Sequence, residues 1–92
     1  MLSEKPISMS KVTQKELNEQ ILRLGMIAEL DAVSLYQQMA EMTDDPQIRE
    51  ILLDIAREEK THVGEFEALL LKHDQEQVEE LKKGAREVEE KR

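Results

Sequence analysis

The sequence predicts an all-α protein whose main part is an antiparallel hairpin of two long helices. The composition favours helices, because aromatic residues make up only 2% of the chain and it has just three glycines and two prolines. Two long segments repeat apolar residues at alternating steps of three and four, which is the spacing of one helix face. Turn-forming residues, Thr43-Asp44-Asp45-Pro46, separate these segments and predict where the chain reverses.

The first helix is predicted from about residue 13 to residue 42. Thr13 followed by Glu16 is a capping box, in which each side chain satisfies an unpaired N–H group of the first turn. The helix must end before Pro46, because proline cannot continue it. Residues 1–12 are polar and aperiodic, so we expect a flexible N-terminal arm there.

The second helix is predicted over residues 46–73, with Asp45 as its N-cap and Pro46 at its first position. Residues 13–73 would then form the helical hairpin. A charged tail, residues 74–92, carries apolar residues at helical spacing and predicts a short third helix, which Gly84 weakens. These apolar residues are Val78, Leu81, Ala85 and Val88.

The size and charge of the chain exclude several classes of function. Ninety-two residues provide one small domain, and the absence of cysteine excludes disulfides and thiolate metal sites. The 13 basic and 21 acidic residues give a net charge of −8, which argues against nucleic acid and membrane partners. Neither a bilayer-spanning run nor a signal peptide is recognisable. We therefore expect a soluble cytoplasmic protein.

Each predicted helix carries an apolar seam that ionisable residues interrupt. In the second helix the interruption is Glu59-x-x-His62, whose two side chains lie one turn apart on the same face. Its seam comprises Ile48, Leu52, Ile55, Glu59, His62, Phe66, Leu69 and His73. In the first helix a single carboxylate, Glu29, interrupts the seam. Its members are Leu22, Met26, Glu29, Val33, Tyr36 and Ala40.

The first helix also carries a second apolar stripe, which predicts burial on more than one side. This stripe consists of Leu17, Ile21, Leu24, Ala28, Leu35, Met39 and Met42. Gly25 and Gly64 each cost about 1 kcal/mol in a helix interior, and close helix approach is a reason to place glycine there.

Folding the hairpin at its turn brings Glu29 to about the same height as Glu59 and His62. Ionised carboxylates in an apolar layer are costly unless they are paired or bind a metal, and neither seam offers Lys or Arg. Carboxylate and imidazole together suit iron, manganese or zinc. The alternative is a buried polar cluster that only fixes the register of the helices.

One chain encodes half of a dinuclear site. Di-iron carboxylate bundles use one Glu from each of two helices and a Glu-x-x-His motif from each of the other two. Two copies of this chain would supply that set in a dimeric four-helix bundle. A lone two-helix hairpin of this length also has too small a core to be stable.

These residues resemble a known family. Met26-Ile-Ala-Glu29-Leu-Asp31-Ala-Val-Ser-Leu-Tyr36 and Glu58-Glu59-Lys-Thr-His62 are similar to the ferritin-like domain of encapsulated ferritins, over roughly residues 22–74. The resemblance implies that Glu29, Glu59 and His62 bind two iron ions per dimer, with Tyr36 beside the site.

The resemblance also implies a function and an assembly. It predicts a ferroxidase that oxidises Fe(II) with dioxygen and supplies iron for mineral storage. It predicts a ring of five dimers that works with an encapsulin shell protein, inside the nanocompartment that the shell forms.

The sequence departs from this family at three places. Family members often have acids at the positions of Ala28 and Asp31, where iron enters, and here only Asp31 is acidic. Leu35 stands where tryptophan is frequent. No shell-targeting peptide is recognisable in residues 84–92, so the tail is a candidate linker to a fused shell protein, as in some archaeal relatives.

Several residues have two interpretations. Tyr36 either packs as one of two aromatic residues or hydrogen-bonds the site, and Glu58 either orients His62 or is solvated. His73, at the end of the second helix, is interpreted as a cap or surface group. The functional alternatives are a rubrerythrin-like peroxidase, whose usual rubredoxin module needs cysteines, and a non-catalytic metal-binding assembly module.

Overall fold

The computed structural model describes residues 13–91, which form three α-helices and, within that range, no strand. Helix α1 comprises Gln14–Met42, α2 comprises Pro46–His73 and α3 comprises Gln75–Glu90. The all-α prediction is confirmed, and α1 and α2 form the expected antiparallel hairpin. The predicted N-terminal arm, residues 1–12, lies outside the described residues. No helix within residues 13–91 is both long and apolar enough to cross a bilayer.

Side-chain caps fix the starts of the first two helices. The Thr13 hydroxyl accepts a hydrogen bond from the Glu16 backbone N–H at 3.1 Å. The Asp45 carboxylate accepts from Gln47 and Ile48 at 2.8 and 3.2 Å, and Pro46 needs no donor at the first helical position. These local interactions explain why the sequence predicts both boundaries to within one residue.

The hairpin packs through a thin core of four buried apolar residues. They are Val33 and Ala40 on α1 and Ala56 and Leu70 on α2. Ala56 and Leu70 each lie one position beyond the predicted seam of α2, whose members Ile48 and Leu69 are exposed. The face of α2 that packs against α1 is therefore rotated by about one residue from the predicted seam. The seam pattern combined positions that face α1 with positions at the open side of the hairpin.

The third helix is longer than the sequence suggested. It runs for 16 residues and passes Gly84 without interruption. It lies near α2 and not near α1. Its apolar residues Leu81 and Val88 are exposed, so this face of α3 has no partner within residues 13–91.

Asp74 joins all three helices. Its backbone N–H donates to the Leu70 carbonyl at the end of α2, and its carboxylate accepts from the Gln77 backbone N–H at the start of α3. The same carboxylate forms an ion pair with Arg23 on α1, and its side chain is only 13% exposed. One acidic residue thus sets where α3 leaves the hairpin.

A ladder of alternating charges on α1 leads to this joint. Lys15, Glu19 and Arg23 lie at successive four-residue steps, and the Lys15 ammonium donates to the buried Glu19 carboxylate at 2.8 Å. That hydrogen bond raises the pKa of Lys15. The ladder places opposite charges next to one another along α1, up to the Arg23–Asp74 ion pair at the start of α3.

We expect Asp74→Ala to loosen α3 without unfolding the hairpin. The variant loses an N-cap that contributes about 1 kcal/mol and leaves Arg23 without its partner. Hydrogen exchange should therefore accelerate at the α3 amides and stay unchanged in the centre of α1. Asp54→Ala is the matched control, because it breaks an exposed pair with Arg57 that contributes less than about 1 kcal/mol. Equal exchange in both variants would show that Asp74 does not anchor α3.

Candidate metal centre

Glu29, Glu59 and His62 come together midway along the hairpin. Glu29 lies near the middle of α1, and Glu59 and His62 lie one turn apart near the middle of α2. Each residue offers one ligand atom, and the three atoms lie within 4.8 Å of one another. The convergence that the sequence predicted is present.

The hydrogen bonds within this cluster leave one carboxylate oxygen without a donor. The His62 Nδ1 atom lies 3.3 Å from Glu59 Oε2 and 3.4 Å from Glu29 Oε2. A single proton on Nδ1 can serve only one acceptor, and only the contact with Glu59 has hydrogen-bond geometry. Among residues 13–91, the Glu29 Oε2 atom is therefore buried without a hydrogen-bond partner.

In the part of the chain that the structure describes, no basic side chain compensates for the two carboxylates. Within residues 13–91, neither Glu29 nor Glu59 forms an ion pair with Lys or Arg, although their side chains are only 21% and 19% exposed. An unpaired buried acceptor typically costs about 1–3 kcal/mol, and more when it is charged. A bound cation would remove this cost.

The donor set suits a transition-metal ion. Two carboxylate oxygens and one imidazole nitrogen match the ligand preferences of iron, manganese and zinc. Ligand atoms with bonds of about 2.0–2.2 Å to a shared ion lie at most about 4.4 Å apart, so a spread of up to 4.8 Å requires only a small inward movement of the side chains. The orphaned Glu29 oxygen is the observation that fits a cation best, because a cluster that only fixed register would satisfy its own acceptors.

The cluster opens to one side of the hairpin. His62 has a side chain that is 42% exposed, twice the fraction of either carboxylate. Seven-residue steps from His62 along α2 reach exposed Ile48 and Leu69. Leu69 borders the same groove as Ile21 of α1, so the exposed rows of the two helices lie on one side.

We call this side the open face. Its exposed apolar members are Ile21, Leu35, Met42, Ile48 and Leu69, and His62 lies midway along it. The α1 members belong to the second apolar stripe, for which the sequence predicted burial on a further side. A single chain leaves this surface in water.

The other predicted site residues lie outside the cluster. Asp31 is exposed and is not part of the three-residue group, and Tyr36 is half-buried two turns after Glu29 on α1. Glu58 is exposed, as expected for a solvated residue, and His73 is exposed as predicted. The roles of Tyr36 and Asp31 in the site stay predictions.

The reason for a glycine at position 25 is readable from the sequence, but the residue that it contacts is not. A Cβ atom at position 25 would lie 2.6 Å from Cε1 of Phe66, whereas one at Gly64 would meet nothing within 4 Å. Close helix approach therefore explains Gly25 and does not explain Gly64. Phe66 was visible only as an apolar seam residue.

Comparison with known proteins identifies the family. The family model for rubrerythrin matches residues 20–92. The chain belongs to the rubrerythrin family. A crystal structure of the encapsulated ferritin domain from Pyrococcus furiosus matches this rubrerythrin-family chain with a TM-score of 0.84 and 58% identity. That match covers 98% of this chain and 94% of the solved one, which confirms the resemblance to encapsulated ferritins.

Two relatives of this rubrerythrin-family chain carry encapsulin in their names. The ferritin-like-encapsulin shell fusion protein of Pyrococcus furiosus is 59% identical over 92 residues, covering 98% of this chain. The encapsulin nanocompartment cargo protein EncC of Myxococcus xanthus is 38% identical over 68 residues, covering 74% of this chain. The chain spans 27% of the fusion protein and 52% of the cargo protein.

Proposed function

We propose that this protein is a ferroxidase that oxidises Fe(II) to Fe(III) with dioxygen at a dinuclear site between two copies of the chain. The observation that carries the proposal is the buried, unpaired Glu29 oxygen beside Glu59 and His62. The membership in a ferritin-like family makes iron the best-supported metal among those that the donor set accepts.

The proposal requires two chains because one chain supplies only half of the donors. A di-iron carboxylate bundle takes one Glu from each of two helices and a Glu-x-x-His motif from each of two others. Each copy offers one Glu29 and one Glu59/His62 pair. The open face supplies the apolar surface through which two hairpins would pack, and it would bring two clusters to one interface.

Iron is the substrate in this proposal, and the protein residues bind and release it. The carboxylates of Glu29 and Glu59 add negative charge, which stabilises the more highly charged Fe(III) product relative to Fe(II). The His62 Nδ1 atom faces both carboxylates, so binding of a cation there leaves the imidazole proton on Nε2. Each pair of Fe(II) ions would give two electrons to one dioxygen molecule, which with two protons from water becomes hydrogen peroxide, and would leave as two Fe(III) ions.

Two further residues have proposed roles on α1. Tyr36 lies two turns from Glu29 on the inner side of the helix, where its hydroxyl would hydrogen-bond a ligand. Asp31 is exposed, so its carboxylate would attract Fe(II) from solution before the ion reaches the cluster. Neither residue completes the three-residue group in a single chain.

Storage of the product requires a container that the hairpin does not provide. The grooves along the described helices are open to solvent. Of the two relatives named above, the one from Pyrococcus furiosus is an encapsulin shell fusion protein and the one from Myxococcus xanthus is an encapsulin cargo protein. We therefore propose that dimers of this domain, five to a ring, act inside an encapsulin shell, with residues 74–92 leading toward it.

Anaerobic loading followed by air tests the proposal directly. Fe(II) is added to the protein without oxygen, and ferric absorbance is then followed after exposure to air, with protein-free buffer as the control. We expect absorbance to rise faster than in buffer and to continue beyond two ions per two chains. Binding without turnover would favour the non-catalytic assembly module, and turnover only with hydrogen peroxide would favour the peroxidase.

A further inference from the structure

A glycine on α1 faces an aromatic ring on α2 near the candidate metal centre. A Cβ atom at position 25 would lie 2.6 Å from Cε1 and 2.8 Å from both Cδ1 and Cζ of Phe66. Real Cβ atoms do not approach other atoms this closely. The Phe66 ring thus occupies the space that any side chain at position 25 would need.

This contact lies one helical turn from the candidate ligands on both helices. Gly25 precedes Glu29 by four residues, and Phe66 follows His62 by four residues. In an antiparallel hairpin, Gly25 and Phe66 therefore lie at the same height, in a layer one turn away from the ligands. The separation of α1 and α2 in one layer constrains it in the next. The contact between Gly25 and Phe66 therefore helps to set the distance between Glu29 Oε2 and His62 Nδ1, which is 3.4 Å.

The ring cannot easily yield to an added methyl group. A phenylalanine side chain has two rotatable bonds and moves as a rigid plane, and overpacking of this kind shifts backbones or forces side chains off their preferred rotamers. A backbone shift would change the distance between the helices at the height of the ligands, and a displaced ring would no longer pack between them in the same way. A flexible Lys or Met at position 66 would absorb the same change.

We propose that Gly25 is a positioning residue for the metal centre, because its missing side chain lets Phe66 set the helix separation that Glu29, Glu59 and His62 require. The proposal rests on the proposed metal-binding function. It also explains why a glycine stands in a helix interior, where alanine would stabilise the helix by about 1 kcal/mol.

The matched control is the glycine on α2. Gly64→Ala gains the same helix propensity, and the added Cβ meets nothing within 4 Å. Any effect of Gly25→Ala on metal binding that Gly64→Ala lacks therefore comes from the contact with Phe66 rather than from backbone propensity.

Binding of Co(II), a spectroscopic probe that air does not turn over as it does Fe(II), tests the proposal in the full chain. We expect Gly25→Ala to weaken Co(II) binding by about 10–100-fold, the range typical of residues that orient metal ligands, and to alter the visible ligand-field bands. Gly64→Ala should leave both unchanged. Titrations are run where light scattering shows the same assembly for every variant, and circular dichroism checks the helical content.

A double variant, in which position 25 gains a methyl group and position 66 loses volume, tests whether the contact itself affects Co(II) binding. Phe66→Leu leaves Gly25 in place and should weaken binding by loosening the layer. The double variant, Gly25→Ala with Phe66→Leu, should bind Co(II) more tightly than either single variant, because the smaller side chain makes room for the new methyl group. This comparison holds even if Gly25→Ala alone folds poorly.

Two results would overturn the proposal. One is wild-type Co(II) affinity and spectrum in Gly25→Ala, and the other is a double variant that binds no better than the weaker single variant. A wild-type chain that binds no Co(II) at all would instead overturn the proposed function, so the two failures are distinguishable.

Discussion

Glu29→Ala, Glu59→Ala and His62→Ala should each reduce iron oxidation by more than about a hundredfold, since residues that merely orient metal ligands already contribute 10–100-fold. Each variant removes one of the three donor atoms that lie within 4.8 Å of one another. None removes a residue of the apolar core, so the helical content should stay close to that of the wild type.

The metal-free variants provide an independent measurement. Glu29→Ala deletes a buried oxygen that has no hydrogen-bond partner, so its melting temperature without metal should not fall below that of the wild type. With a divalent ion present, only the wild type should gain stability. A variant that keeps its melting temperature without metal but gains none with metal has lost a metal ligand. A residue that stabilises the fold would lower the melting temperature in both conditions when it is replaced.

Glu65→Ala is the control for these variants. Glu65 is an exposed acid on α2, three residues beyond His62 and outside the three-residue cluster. Its replacement by alanine removes one negative charge, as Glu29→Ala and Glu59→Ala do. Its oxidation rate should match the wild type. A full oxidation rate in any of the three cluster variants would exclude that residue from the site.

Dilution should abolish activity, because the proposed dinuclear site needs donors from two chains. We expect specific activity to fall as assemblies dissociate and iron to bind at two ions per two chains. A redox-inert divalent ion should shift the protein toward larger assemblies by mass action. Native mass spectrometry or light scattering across a dilution series measures both effects.

Two leucines on α1 provide a matched test of the open face. Leu35 lies on that face and is 52% exposed, whereas Leu30 is 54% exposed and lies five residues earlier on another side of the helix. Leu35→Glu should prevent the two-chain assembly and its activity. Leu30→Glu should preserve the rate per chain. A monomer that keeps the full rate would contradict the two-chain site.

The sequence predicted the candidate site because its signal is local to each helix. Glu29 interrupts an apolar seam on α1, Glu59 and His62 interrupt one on α2, and the position of the turn sets their heights. Capping residues such as Thr13 and Asp45 likewise act within a few residues of the helix ends. Such features can be read from spacing alone.

The features that the sequence did not predict depend on contacts between distant segments. The rotation of α2 that buries Ala56 and Leu70 follows from how the two helices fit, and the seam pattern could not separate that contact from the open face. The pairing of Arg23 with Asp74, 51 positions apart, has no periodic signature. The partner of Gly25 was hidden for the same reason.

The joint at Asp74 has a mechanical consequence. At about 1.5 Å per residue, the 16 residues of α3 form a rod of about 24 Å. A stiff helix sets both the distance and the direction between its two ends, whereas a flexible coil of the same number of residues sets only a maximum distance. With Asp74 paired to Arg23, the far end of α3 keeps a set direction relative to the hairpin; without that ion pair, α3 would be free to swing about its first turn.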